Sequence, residues 1–280
     1  MVTKRIACFL TCGYTEAGAM QAFLRKMNGN YEYKQYLPNK TVKKKGDPKT
    51  ISPEISGLTG SALLEKVYTI IKNHKAEIAQ CSGILIEDDL DGRFHGMATS
   101  DIERYNDSIK KEIYSIIGDH VPVFLLYASP EIESWFIADW DNGFGYIYNS
   151  SGCVTDMETS AKMFFTHHLK RFINVYILKE YSNDIESYGY FNQVYYKLSD
   201  QIIEAIQTGV KEYISVLPNI NKRYSEQIVS SRDLYYSKKL HGDRMLRNLE
   251  PSVIANKCRH FFFPVYNMFS GRSSKEEETP

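Results

Sequence analysis

The apolar run Gly83-Ile84-Leu85-Ile86 ends abruptly in Glu87-Asp88-Asp89-Leu90-Asp91-Gly92. A short continuous apolar run of this kind marks a central strand buried on both faces. In parallel α/β sheets, ligands bind beyond the carboxyl ends of the strands. Carboxylates crowded there repel one another unless a cation compensates. Their hard oxygen donors suit Mg2+, Mn2+ or Ca2+ better than zinc. Asp89 and Asp91 are therefore the first candidate metal ligands, the plain alternative being a solvated acidic turn that ends a strand. An EF-hand is excluded: its loop needs a bidentate Glu at the twelfth position, which here is Ala98, and it follows a helix rather than a strand.

A third carboxylate, Glu16, opens a helix just after another strand. If the two strands are neighbours, Glu16 and the Asp89/Asp91 pair share one site, with Glu16 as general acid or base and as a further ligand. That combination is what phosphodiester cleavage requires. Otherwise Glu16 is a first-turn acid that complements the helix dipole. Glu133, beyond a third strand, is a candidate fourth metal ligand or a solvated first-turn acid. Arg93 and His95 follow the acidic cluster and are placed to hold a phosphate, although loop residues of these types are more often solvated. His167-His168 has no third ligand at useful spacing and reads as structural.

The elements that must position these groups alternate. Arg5–Thr11, Gly83–Ile86 and Val121–Tyr127 read as buried strands. Helices follow from Thr15 as N-cap, with Met20, Phe23, Leu24 and Met27 at helical spacing, and from Ser61, with Leu64, Val67, Tyr68 and Ile71. A third helix is capped by Ser100 or Asp101, and a fourth starts at Ser129-Pro130 in the favoured cap-then-proline order. Residues 31–60 read as irregular. The order β-α-α-β-α-β-α predicts an α/β fold with a largely parallel sheet. We expect this core over residues 1–150 and a mainly helical, Tyr- and Phe-rich region packed on it over 151–280. Trp135, Phe136 and most of the 21 tyrosines are expected in packing rather than in base stacking.

The formal net charge is zero, with 34 basic and 34 acidic side chains, but the charges are segregated. Residues 1–50 carry 10 basic and 3 acidic groups, residues 51–221 carry 13 and 24, and residues 222–259 carry 9 and 4. A uniformly basic nucleic-acid binder is excluded; an acidic centre between basic flanks, suited to a polyanion, is not. Lys43 and Lys44 in the first flank, and Lys238, Lys239 and Arg244 in the second, are the candidate phosphate contacts. No apolar stretch approaches the ~20 residues that span a bilayer. Five irregularly spaced cysteines fit a reducing cytoplasm and no structural zinc, and Cys258 reads as a small buried residue.

A strand, the turn Gly13-Tyr14-Thr15-Glu16, a helix and a later strand ending in Asp-x-Asp together resemble the TOPRIM pattern. More closely, the chain resembles a TOPRIM-related family of bacterial anti-phage defence proteins, akin to RloB-like and OLD-type nucleases. That likeness extends to Glu133-Ser134-Trp135-Phe136-Ile137-Ala138-Asp139, to Tyr236–Lys238 and to Lys257–Phe261, in order over most of the chain. The resemblance implies a Rossmann-like TOPRIM core and a cytoplasmic nuclease dependent on Mg2+ or Mn2+. Its substrate would be DNA or a tRNA-like RNA, and an ABC- or SMC-like ATPase would control it as a defence effector, with homo-oligomerisation an open option. It assigns Glu16, Asp89 and Asp91 to catalysis. The family's turn usually reads Glu-Gly-x-Thr-Glu, and its first Glu is Cys12 here. Either Glu16 takes over that role, or the register differs, or the chain is a catalytically decayed binding or effector subunit.

Overall fold

In the computed structural model the structure describes residues 4–11, 13–38, 40–41, 50–51, 57–148, 156–174, 183–191, 197–216 and 236–270. Strands β1 (Lys4–Phe9), β2 (Tyr31–Leu37), β5 (Gly83–Asp89) and β6 (Val123–Ala128) form one sheet in the order β2-β1-β5-β6. All three pairings are parallel. A separate two-residue ladder joins β3 (Lys40–Thr41) to β4 (Thr50–Ile51). The chain is thus α/β with a parallel sheet, as its alternating pattern predicts.

Successive side chains of a strand point to opposite faces, and this sheet is covered on both. Ile6, Cys8, Leu85, Leu126 and Ala128 face one apolar cluster, and Ala7, Phe9, Ile84, Ile86, Val123, Leu125 and Tyr127 face the other. The second cluster is closed by α2 (Gly60–Asn73) and α4 (Thr99–Ile117), through Leu63, Val67 and Ile71 and through Ile102, Ile109 and Ile113. A four-residue helix, α3 (Lys75–Ile78), links α2 to β5. The first cluster is closed by α1 (Tyr14–Met27) and α5 (Glu133–Ala138), with Met20, Phe23, Trp135 and Phe136 all fully buried. Trp135 and Phe136 are core residues, as expected.

Beyond α6 (Phe144–Tyr148) the described residues are helical: α7 (Asp156–Ile173), α8 (Glu186–Phe191), α9 (Leu198–Val216), α10 (Asp243–Asn248), α11 (Pro251–Lys257) and α12 (Phe262–Ser270). A single π-helical turn, Lys238–Gly242, precedes α10. These helices do not form a separate core. Phe262 lies 5.1 Å from Trp135 and 6.0 Å from Phe23, ring centre to ring centre, and Phe269 lies 4.6 Å from Phe124 of β6.

Three local expectations need correction. Tyr31–Leu37, read as irregular, is the edge strand β2. Its mixture of Tyr with Glu32 and Lys34 hides a half-buried strand whose Tyr31 and Tyr33 pack against Phe269. Thr15 is not the cap of α1: the helix begins at Tyr14 behind Gly13, and Thr15 lies inside it, fully buried. The helix expected from Ser129-Pro130 begins at Glu133, because residues 129–132 turn the chain over the end of β5. There Pro130 O accepts from Asp91 N at 2.7 Å and Asp89 Oδ1 accepts from Ile132 N at 3.0 Å.

Candidate active site

Because β1 and β5 are adjacent and parallel, their carboxyl ends bring the start of α1 beside the acidic end of β5. Thr11 ties the two ends together. Its backbone N donates to Glu87 Oε2 at 3.0 Å, and its hydroxyl accepts from Asp89 N at 3.3 Å. Pairing of β5 with β6 then sets Asp89 opposite Ala128, and the turn after β6 delivers Glu131 and Glu133 to the same place. Glu16, Glu87, Asp89, Glu131 and Glu133 are all buried.

At the centre of this cluster stands the ammonium of Lys238, on the π-helical turn. Its Nζ lies 3.1 Å from Glu133 Oε2, 3.7 Å from Asp89 Oδ2 and 4.0 Å from Glu131 Oε2. The cluster is also braced by the protein. Tyr236 OH donates to Glu133 Oε1 at 2.6 Å, Ser199 N at the start of α9 donates to Glu131 Oε2 at 3.1 Å, and Ile132 N holds Asp89. Among the described residues, Glu87 Oε1 is buried without a hydrogen-bond partner. Two glycines let the backbones close on this site. A Cβ at Gly13 would stand 2.2 Å from Glu16 Oε2, and one at Gly242 would stand 2.0 Å from Thr15 Oγ1.

Burial sets the protonation of the cluster. It pushes Glu16 up to about 7 against the pull of Lys238, and Glu133 up to about 7 likewise. It pushes Asp89 up to about 8, with Glu16 and Glu131 adding repulsion. Glu87 is raised well above the usual carboxylate range by burial and by Glu16 and Asp89. Burial works against the Lys238 ammonium, but Glu133, Asp89, Glu131 and Glu16 together raise it above its ordinary value. One ammonium does not balance five carboxylates, so the site takes up protons or a further cation.

The donor chemistry fits a hard divalent ion such as Mg2+ or Mn2+: several carboxylate oxygens come from different elements, and among the described residues Glu87 Oε1 and Glu133 Oε2 accept no hydrogen bond, the latter facing the Lys238 ammonium. The space is the ammonium's. Among the described residues no three His, Cys, Asp or Glu side chains already stand around a common ion position.

The predicted site residues divide accordingly. Glu16, Asp89 and Glu133 come together. Asp91 stands one step outward, half-buried, with its backbone at φ 48°. That left-handed conformation is one Asp tolerates better than most residues. Lys238, expected on phosphate, faces carboxylates instead. Arg93 is likewise committed: its Nη1 donates to the buried Asp88 Oδ2 at 2.7 Å and its Nη2 to Asp89 O at 3.1 Å. Asp88 in turn accepts from Gly60 N at the start of α2, so the pair ties a helix end to β5. Lys239 and Arg244 are exposed on the stretch that carries Lys238. Lys43, Lys44 and Cys12 lie outside the described residues.

Glu87, Glu131 and Tyr236 were missed as members of the cluster. Glu131-x-Glu133 repeats the Asp-x-Asp spacing at the end of the next parallel strand, which is the signal that could have found Glu131. Of the remaining candidates, His168 pairs with Glu212 at 3.0 Å across α7 and α9, and Asp139 accepts from Glu250 N at 2.7 Å before α11. Both are structural. Cys258 is buried and its thiol is pushed far up by burial, which removes it as a nucleophile. No described helix is long and apolar enough to cross a membrane. No family model, no curated protein and no solved structure matches the chain.

Proposed function

We propose that the protein is a TOPRIM-type nuclease dependent on Mg2+ or Mn2+, hydrolysing phosphodiesters of DNA or RNA. The observation that carries this reading is the convergence of Glu16, Asp89 and Glu133, with Glu87 and Glu131, at the carboxyl ends of parallel strands, with one ammonium in contact among the described residues. Asp89 and Glu133 would hold the ion, with Asp91 at the outer edge of the site. A bound ion of this kind polarises a phosphoryl oxygen and lowers the pKa of a coordinated water. Tyr236 and the Ile132 N–H orient Glu133 and Asp89. Glu16, buried beside them, would exchange a proton with water or leaving group. Lys239 and Arg244 meet the substrate backbone. The resemblance to defence proteins supports an effector role under an ABC- or SMC-like ATPase, in the cytoplasm.

One observation favours a second reading, a binding or effector subunit that does not cut. Lys238 stands where a divalent ion would be held, and a permanent ammonium there, with protons on the remaining carboxylates, leaves an inert site.

Labelled double-stranded DNA, single-stranded DNA and tRNA, incubated with the protein and Mg2+ or Mn2+, separate the two. The nuclease reading expects cleavage that falls by about a hundredfold or more in Asp89→Ala and Glu16→Ala, the loss typical of a removed acid–base or ion-holding group. Cleavage equal in wild type and both variants rejects this site, and no cleavage of any substrate, with or without the partner ATPase, favours the binding subunit.

A further inference from the structure

Lys238 needs an explanation whichever reading holds, because a lysine is an unusual resident for a cluster of potential metal ligands. Its side chain reaches the cluster from outside the sheet, on a π-helical turn, and keeps about a third of its surface exposed. Turns of this type recur at functional sites because they place one side chain out of the regular helical register. The other members of the cluster are anchored without it. Asp89 is held by Ile132 N, Glu131 by Ser199 N and Glu133 by Tyr236 OH, so all three remain directed inward if the ammonium leaves. Glu87 Oε1, buried and without a donor among the described residues, shows that the cluster has acceptor capacity Lys238 does not use.

We propose that Lys238 is a tethered counter-ion that exchanges with a divalent cation: the ammonium occupies the carboxylate cluster when no ion is bound and swings out on its π-helical turn when one enters. This deepens the metal-site part of the function proposed above and rests on it. Two consequences follow from charge alone. A lysine and a dication held by the same oxygens repel each other, so the residue sets the affinity of the site for the ion. Once released, the ammonium lies with Lys239 and Arg244 on the same exposed stretch, where a polyanion stabilises the released position. Nucleic acid and metal then bind with positive coupling.

Mn2+ binding to EDTA-stripped protein, read at about pH 8 from the electron paramagnetic resonance signal of free Mn2+, tests the exchange without reference to cleavage. Lys238→Gln is expected to bind Mn2+ about tenfold or more tightly than wild type, because a unit charge within a few ångströms of the ion is removed. Lys238→Arg, which keeps the charge, is expected to show no such gain. Mn2+ affinity in a folded Lys238→Gln equal to or below that of wild type overturns the exchange while leaving a wild-type metal site intact. Absence of Mn2+ binding in both proteins overturns the exchange and the metal-dependent reading together. If Lys238→Gln unfolds in EDTA, its melting in Mn2+ decides: recovery of a cooperative transition supports a cation-for-ammonium exchange, and failure to recover shows that the lysine itself is required.

Discussion

Protonation of the carboxylates links this site to the stability of the protein. Glu16 and Glu133 are held at about 7 and Asp89 at about 8, against ordinary values of 4.5 and 3.8. Each binds its proton more tightly in the folded chain than in the unfolded one. Their contribution is therefore fully present below the unfolded values and is lost as pH rises through 7 to 8. The metal-free protein should melt at a lower temperature at about pH 8.5 than at about pH 6, and Mg2+ or Mn2+ should reduce that fall. Scanning fluorimetry in EDTA and in excess metal checks both points, and a melting temperature that rises over this interval in EDTA contradicts the assignment. The identities of Glu16, Asp89 and Glu133 as candidate ligands were legible from residue type and strand position. The engagement of Arg93 by Asp88 was not, because it depends on α2 presenting Gly60 to the same carboxylate.

Among the elements, α1 and the π-helical turn meet closely. Gly242 faces Thr15 so closely that a Cβ would stand 2.0 Å from its Oγ1 and 3.0 Å from its Cβ. Gly242→Ala should therefore push the turn off α1, costing ~1–3 kcal/mol in urea denaturation, as overpacking does. It should also lower cleavage, because Lys238, Tyr236 and Glu133 shift together. Thr15→Ala in the same chain should recover part of the stability loss, since the two changes share one contact. A loss the same size with or without Thr15→Ala would place the strain elsewhere. This junction explains why Gly13-x-Thr15-Glu16 looks like a motif. Gly13 leaves room for the Glu16 carboxylate, Thr15 receives Gly242, and Glu16 enters the cluster. The sequence showed the spacing; the partner of Thr15, more than two hundred residues away, lies beyond any local pattern.

For the molecule as a whole, the C-terminal helices complete both the core and the site. Met20, Phe23 and Trp135 share an apolar cluster with Leu246, Ile254 and Phe262, while Glu131 and Glu133 meet Ser199, Tyr236 and Lys238. A chain ended after Tyr148 would lose the helix that packs on Phe23, Trp135 and Phe124 and leave Glu131 and Glu133 without their donors. It should show no cooperative unfolding transition by circular dichroism, whereas the full chain should. A sharp transition in the truncated chain would show that residues 1–148 are an independent domain. The charge pattern has the same logic. The basic stretch after residue 222 sends Lys238 into the acidic centre and leaves Lys239 and Arg244 exposed beside it.

The sequence by itself determined the α/β class, the parallel sheet and the strand ends at which acidic groups gather. These follow from short-range pattern: continuous apolar runs for doubly covered strands, helical spacing between them, and carboxylates where the runs stop. The tertiary structure alone decided which carboxylates face one another, that β2 closes the sheet edge, and that a lysine 149 positions after Asp89 reaches their centre. The physical reason is range. Hydrophobic periodicity is a property of neighbours along the chain, whereas the balance of buried charge is a property of neighbours in space.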